Sequence, residues 1–243
     1  MTRFDDYLGE LLASCEHNPA IEGLVLMGST ADRSRVDEWS DHDFAVITDA
    51  AAVEPLRADL SWLPRHEHLV ASEREHHDGF KAIYDDGAVI EFAVTDLAGL
   101  ATFYANDWEV AYGGEAVVGV MRDVAAKPVP ASGSAAVFLA ALLVGVGRAR
   151  RGEVLSGGAS VRGLALDHLL VQLRSSVPDN LDPRRRFEFA HPRLGAELAA
   201  AQELPVEACA RAMLEIAERE LHLPPAAVAA VRVRLGWGAG ASG

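Results

Sequence analysis

Hydrophobic and polar positions change their rhythm about halfway along the 243 residues. Phe4, Tyr7, Leu8, Leu11 and Leu12 recur at helical intervals, which predicts an amphipathic helix over Phe4–Cys15. His17-Asn18-Pro19 ends it, because proline keeps the residue before it out of helical geometry. Gly23–Met27 reads as a short buried strand, Thr30–Ser40 as a loop or partly helical connection, and Phe44–Thr48 as a second strand. Val53–Leu63 predicts a helix closed by Pro64. His68–Ser72, Phe80–Tyr84 and Ala88–Thr95 predict strands, and Asp85-Asp86-Gly87 turns the last two into a hairpin. Leu97–Tyr104 is expected to be helical, and Trp108–Val120 extended with a break at Gly113-Gly114.

Ala125–Ser134 carries two prolines, small residues and no apolar period, as a linker does. Beyond it Ala135–Arg150, Val161–Arg174, Pro192–Gln202, Val206–Leu221 and Pro225–Val233 all favour helix. Several begin at proline, which the first helical turn tolerates. The pattern therefore predicts two domains. Residues 1–128 form an α/β domain, and residues 129–243 an all-α helical bundle with a frayed tail from about residue 236, Trp237 included.

Composition narrows the setting. The longest apolar run, Ala135–Gly147, is shorter than the roughly 20 residues a membrane helix needs. No secretory signal is read at the start, and Cys15 and Cys209 are far apart, outside any metal-like spacing. Free thiols in the cytoplasm are the expectation. The net charge of −14 is uneven: residues 1–128 hold 25 acidic against 9 basic side chains, residues 129–243 hold 11 against 13. An acidic surface disfavours nucleic acid, whose binding rests on phosphate neutralisation, and favours cationic partners. Solubility alone would account for the same excess. A homodimer is left open.

The chemistry concentrates in Ile21–Ile47, where an apolar strand runs into Gly28-Ser29 and, eleven residues on, Asp41-His42-Asp43 opens another strand. Side chains two apart on a strand share a face, and two like charges there are unfavourable without a cation or proton between them. A Gly-Ser turn offers N–H groups and a hydroxyl to phosphate. Mg²⁺ takes carboxylate and phosphate oxygens. Two-metal phosphoryl transfer needs a further carboxylate, for which Glu91 is the candidate. The strand around it is apolar on both faces, as a strand buried inside a sheet is, and an ionised Glu there costs on the order of several kcal/mol unless paired or metal-bound. The alternative is a Glu91 paired with an arginine, or facing water on an edge strand.

Other residues carry weaker signals. Arg33 and Arg35 lie between turn and acidic pair, within reach of a triphosphate, with solvated loop charges as the alternative. Lys81, on the hairpin beside Glu91's strand, is placed to pair with Glu91 or with a phosphate. His66, His68, His76 and His77 lack compact ligand spacing and read as surface residues. His42 points away from its two aspartates and is expected to be structural. Asp167 and His168 lie in an apolar helical stretch, either facing a cleft or paired within the core. Arg184-Arg185-Arg186 reads as a solvated turn. The chain has no P-loop motif, and its Gly145–Gly152 glycines are misspaced for a dinucleotide loop.

Gly28-Ser29, the eleven-residue spacing, Asp41-x-Asp43 and a later acidic strand together resemble the signature of the nucleotidyltransferase superfamily typified by DNA polymerase β, over roughly residues 20–95. The resemblance implies a small mixed sheet flanked by helices. It implies that Gly28 and Ser29 hold the triphosphate, that Asp41 and Asp43 bind Mg²⁺, and that Glu91 is the third ligand or the general base. With a helical second domain, the layout is similar to the small antibiotic nucleotidyltransferases, which move AMP from ATP onto a hydroxyl of an aminoglycoside or lincosamide. A cationic aminoglycoside suits the acidic half best. A lincosamide, another small alcohol, or a protein partner modified by an antitoxin-like enzyme are the alternatives. The second half matches no antibiotic-enzyme motif, so the acceptor stays open.

Overall fold

The computed structural model of the chain describes residues 3–75, 78–128, 133–174 and 182–238. The chain divides into two compact units, Met1–Val129 and Pro130–Gly243.

In the N-terminal unit the first amphipathic stretch forms α1 (Arg3–His17), with Tyr7, Leu11 and Cys15 buried. The strands are β1 (Ile21–Met27), β2 (His42–Thr48), β3 (Leu69–Arg74), β4 (Gly79–Tyr84), β5 (Val89–Thr95) and β6 (Trp108–Gly113). They make one six-stranded sheet in the order β3-β4-β5-β2-β1-β6. β2 and β5 pair in parallel and every other neighbour antiparallel, so the sheet is mixed. Short helices connect the strands: α2 (Gly28–Ala31), a 3₁₀ turn at Arg33–Arg35, α3 (Val53–Ala58), α4 (Leu97–Leu100) and, after β6, α5 (Glu115–Ala125).

Strand alternation gives the sheet two unlike faces. Phe44, Val46, Phe80, Ile90, Phe92 and Val94 pack with Tyr7, Leu11, Leu56, Trp62 and Leu63 from α1, α3 and the segment after α3. On the opposite face Val25, Ala45 and Ile47 pack under Leu100 of α4 and Val117, Met121 and Val124 of α5. That second cover reaches β6 and Ala93 of β5 but goes no further across the sheet. Val89 and Ile83, on the same face of β5 and β4, remain exposed.

Three local expectations are corrected. The helix expected over Val53–Leu63 ends at Ala58, because the Asp59 carboxylate accepts the Ser61 N–H at 2.9 Å and starts a turn that carries Trp62 and Leu63 inward. The helix expected over Leu97–Tyr104 stops at Leu100, its start capped by Asp96, whose carboxylate accepts the Gly99 N–H at 2.7 Å. The extended stretch expected to run to Val120 ends at Gly113, whose φ of +127° an L side chain rarely adopts, and a helix follows. Its Val117, Met121 and Val124 keep helical spacing despite a β-branched run.

The C-terminal unit is helical: α6 (Ala135–Arg150), α7 (Val154–Gly158), a π-helical stretch at Ala159–Ala165, α8 (Leu166–Leu173), α9 (Phe187–Ala190), α10 (Pro192–Gln202), α11 (Val206–Glu220) and α12 (Pro225–Leu235). Phe138, Leu142 and Val146 of α6 lie at the centre of its core, with Leu169, Leu198, Met213 and Val231. The frayed tail is corrected at Trp237, which is 2% exposed and donates its indole N–H to Glu207 at 2.9 Å. Residues 239–243 lie outside the described residues, as do 129–132 of the expected linker. Among the described residues no helix is long and apolar enough to cross a membrane.

Candidate active site

The sheet register assembles the site. β1 ends at Met27, which pairs with Asp43 at the start of β2. On the other side of β2, Asp43 pairs with Glu91, and Glu91 in turn with Lys81 of β4. Paired residues on neighbouring strands present side chains to one face, so Asp43, Glu91 and Lys81 form a row across three strands. Asp41 lies two residues before Asp43. Asp41, Asp43 and Glu91 each offer a carboxylate oxygen, and these oxygens all lie within 4.8 Å of one another, each residue partly buried. Among the described residues this is the one group with the makings of a metal site.

The turn after β1 is shaped to meet these carboxylates. Gly28 has φ +56°, and a Cβ added there would lie 3.0 Å from Oδ2 of Asp43. The left-handed backbone favours glycine there, and a Cβ would in addition press on the Asp43 carboxylate. Two residues on, Thr30 is fully buried and its hydroxyl oxygen accepts the backbone N–H of Asp43 at 2.8 Å. From the far side, the Gly28 N–H donates to the Asp107 carbonyl at 3.1 Å. Arg35 completes the brace by donating to the Gly28 carbonyl at 3.0 Å while pairing with Asp107 and, at 2.7 Å, with Asp32.

The site residues expected from sequence therefore fall into two groups. Asp41, Asp43 and Glu91 come together, with Gly28 against Asp43 and Lys81 on Glu91, while Ser29 follows Gly28 as a buried residue. Arg33 and Arg35 are committed to the protein's own groups: Arg33 pairs with Asp5 and lies 4.8 Å from the centre of the Phe4 ring, and Arg35 holds the turn. The reasoning that made Glu91 costly is corrected. Its side chain is 38% exposed and ion-paired with Lys81; Ala93, two residues on, packs under the helices of that face, whereas Val89, two residues before, is exposed. Beside Glu91 the Lys81 ammonium is held above its usual pKa, chiefly by the hydrogen bond to that carboxylate.

His42 is buried, stacked on Phe4 at 3.8 Å, and its Nε2 bonds the Phe4 carbonyl at 3.1 Å, so it docks α1 onto β2. Burial, with the Arg33 charge adding, pushes its pKa down despite that bond. His68 is exposed and contacts Asp85 at 2.9 Å, and His66 is exposed, while His76 and His77 lie outside the described residues. In the C-terminal unit Asp167 accepts from Arg184 at 2.6 Å, and Nδ1 of His168 accepts the Ser134 N–H at 3.2 Å. That pair also ties down the first arginine of the expected solvated turn.

Thr30 and Asp107 escaped the sequence reading. Thr30 directly follows Gly28-Ser29 in a stretch that reads as a loop or partly helical connection; Asp107 has no local signal, because it reaches the turn through the pairing of β6 with β1.

No protein-family model and no curated protein matches the chain. Among solved structures it is similar to an aminoglycoside 6-adenyltransferase from Bacillus subtilis, at 12% identity and a TM-score of 0.34, over 97% of this chain and 98% of that one.

Proposed function

We propose that the N-terminal unit is a Mg²⁺-dependent nucleotidyltransferase that moves a nucleoside monophosphate, AMP from ATP, onto a hydroxyl of a small cationic acceptor such as an aminoglycoside. The observation that carries the reading is the Asp41–Asp43–Glu91 triad beside a turn whose glycine leaves room for Asp43. Three hard oxygen donors within 4.8 Å suit Mg²⁺, which binds through carboxylates and substrate phosphates. Bound there, the ion would neutralise the triphosphate and the charge growing on pyrophosphate.

The protein's own groups do the rest. The Gly28–Ala31 turn would offer the phosphates first-turn N–H groups such as that of Ser29, the Gly28 N–H being taken by the Asp107 carbonyl. Thr30 and the Asp107–Arg35 brace hold that turn against β2. The acceptor oxygen bonds to the α-phosphorus as the bond from that phosphorus to the pyrophosphate oxygen breaks, and pyrophosphate leaves with the electron pair. Glu91 takes the hydroxyl proton, or, where it completes the ligand set, that proton passes to solvent water.

The test is incubation with Mg²⁺, ATP or GTP and a panel of aminoglycosides and lincosamides, with mass spectrometry for a nucleoside monophosphate adduct. An adduct absent from the Asp43→Asn variant supports the reading. No adduct on any compound, together with unchanged Mg²⁺–ATP binding by Asp43→Asn, sinks it.

A further inference from the structure

The row of Asp43, Glu91 and Lys81 continues one strand further. Lys81 of β4 is paired with Glu91 of β5 on one side and with Glu73 of β3 on the other, so one ammonium stands between two carboxylates on the same face. It bonds Glu91. Directly opposed residues on antiparallel strands hold their Cβ atoms about 4.5–5.5 Å apart, so the flexible four-carbon stem of Lys81 reaches either neighbour without moving the backbone.

Glu73 is exposed on the edge strand. The basic residue next to it, Arg74, pairs with Phe80 on the other face and is committed to Glu54 at 2.9 Å and Asp78 at 2.7 Å. Among the described residues Glu73 takes part in no ion pair. Glu75, at the mouth of the β3–β4 hairpin, and Asp41 add their charge around the ammonium.

A divalent ion held by Asp41, Asp43 and Glu91 and the Lys81 ammonium on Glu91 would be like charges sharing one carboxylate, and they repel. Glu73 lies on the far side of Lys81 from the triad, so a move onto it keeps the ammonium paired and carries it away from the ion.

Resting on the metal site of the nucleotidyl-transfer reading, we propose that Glu73 is a positioning residue that receives the Lys81 ammonium when a divalent cation takes Glu91, and so sets how readily the triad is loaded. The row Glu73–Lys81–Glu91 is a two-position latch. Lys81 on Glu91 keeps that carboxylate occupied, and Lys81 on Glu73 frees it.

The full chain is titrated with Mg²⁺ alone, at low ionic strength where exposed charges are least screened, and the midpoint is read from the rise in melting temperature. Lys81→Met should bind about threefold more tightly than wild type and Glu73→Gln about threefold more weakly, the size that exposed pairs allow. The deciding protein is the double variant Lys81→Met/Glu73→Gln. With no ammonium to receive, it should bind as tightly as Lys81→Met, a coupling that loss of surface charge alone does not produce. Glu75→Gln removes the same charge and should shift the midpoint equally with and without Lys81.

Equal weakening by Glu73→Gln in both backgrounds overturns the proposal, because Glu73 would then act through its field alone. So does a midpoint that Glu73→Gln leaves unchanged, or a coupling to Lys81 found at Glu75 instead. Where Asp43→Asn abolishes the titration while Glu73 and Lys81 act independently, the latch fails and the transfer reading stands. A wild type that shows no titration, or one that Asp43→Asn leaves unaltered, fails the metal site and the transfer reading with it.

Discussion

Gly28 lies so close to Asp43 that a single methyl group on it would meet the carboxylate oxygen at 3.0 Å. The turn proposed to hold a triphosphate and the carboxylate proposed to hold a metal thus leave no spare room between them. Gly28→Ala adds that contact to a left-handed backbone, which alone disfavours an L side chain by roughly 1–2 kcal/mol. The variant should lose about that much stability in urea unfolding and most of its transfer activity. Wild-type behaviour in both would show that the turn needs no glycine.

Thr30 ties the same two elements through the backbone. Thr30→Val keeps the volume but leaves the Asp43 N–H without its acceptor, at a cost of about 1–3 kcal/mol for a buried donor. Thr30→Ser should keep most of the stability and the activity. If valine and serine behave alike under chemical denaturation, the hydrogen bond contributes nothing.

Lys81 competes with any cation for Glu91. Both side chains are more than a third exposed, so the pair itself is worth at most about 1 kcal/mol. Lys81→Met should barely change the metal-free melting temperature yet enlarge the upward shift caused by millimolar Mg²⁺. A smaller shift than in wild type would instead mean that Lys81 supports the bound ligand.

His42 makes folding pH-dependent. Burial lowers its folded pKa below the unfolded value of about 6.5, so the unfolded chain binds the proton more readily. The contribution is complete above that unfolded value and falls as pH drops below it toward the folded pKa. His42→Phe, which retains stacking on Phe4, should lose less stability than wild type between pH 7.5 and 5.5. Parallel curves for the two proteins would contradict this.

Glu207 works at lower pH in the C-terminal unit. Hydrogen bonds from Arg150, at 2.9 and 2.5 Å, and from the Trp237 indole hold its pKa down at about 2. A depressed carboxylate contributes above its unfolded pKa of about 4.3 and loses that contribution as pH falls through 2. With 35% of the side chain exposed, solvent screening limits the effect to about 1 kcal/mol. Trp237→Ala, which empties a buried site, should cost about 3 kcal/mol in thermal or urea unfolding. A C-terminal unit indifferent to Trp237→Ala would restore the frayed tail.

Much of the local structure was legible because it follows from short-range periodicity. Phe4–Cys15 shows its apolar stripe within four turns, and the Ala- and Leu-rich segments after residue 134 need no distant partner to favour helix. Gly113 misled because a β-branched run after it looks extended until Val117, Met121 and Val124 are seen to share a buried side. Trp237 misled because a glycine-rich end hides one large side chain that finds Glu207 and Arg211 thirty and twenty-six positions earlier.

The sequence by itself determined that Asp41 and Asp43 share a face and follow a Gly-Ser turn, since strand period and residue chemistry are properties of neighbours in the chain. Tertiary structure alone decided that Glu91 stands beside Asp43, that Lys81 stands beside Glu91, and that Thr30, Arg35 and Asp107 brace the turn rather than await a ligand. Those relationships depend on which strands pair and in what register, and a slip of one residue would turn Glu91 to the apolar face with Phe92's neighbours. Register comes from the packing of the whole sheet between its helices.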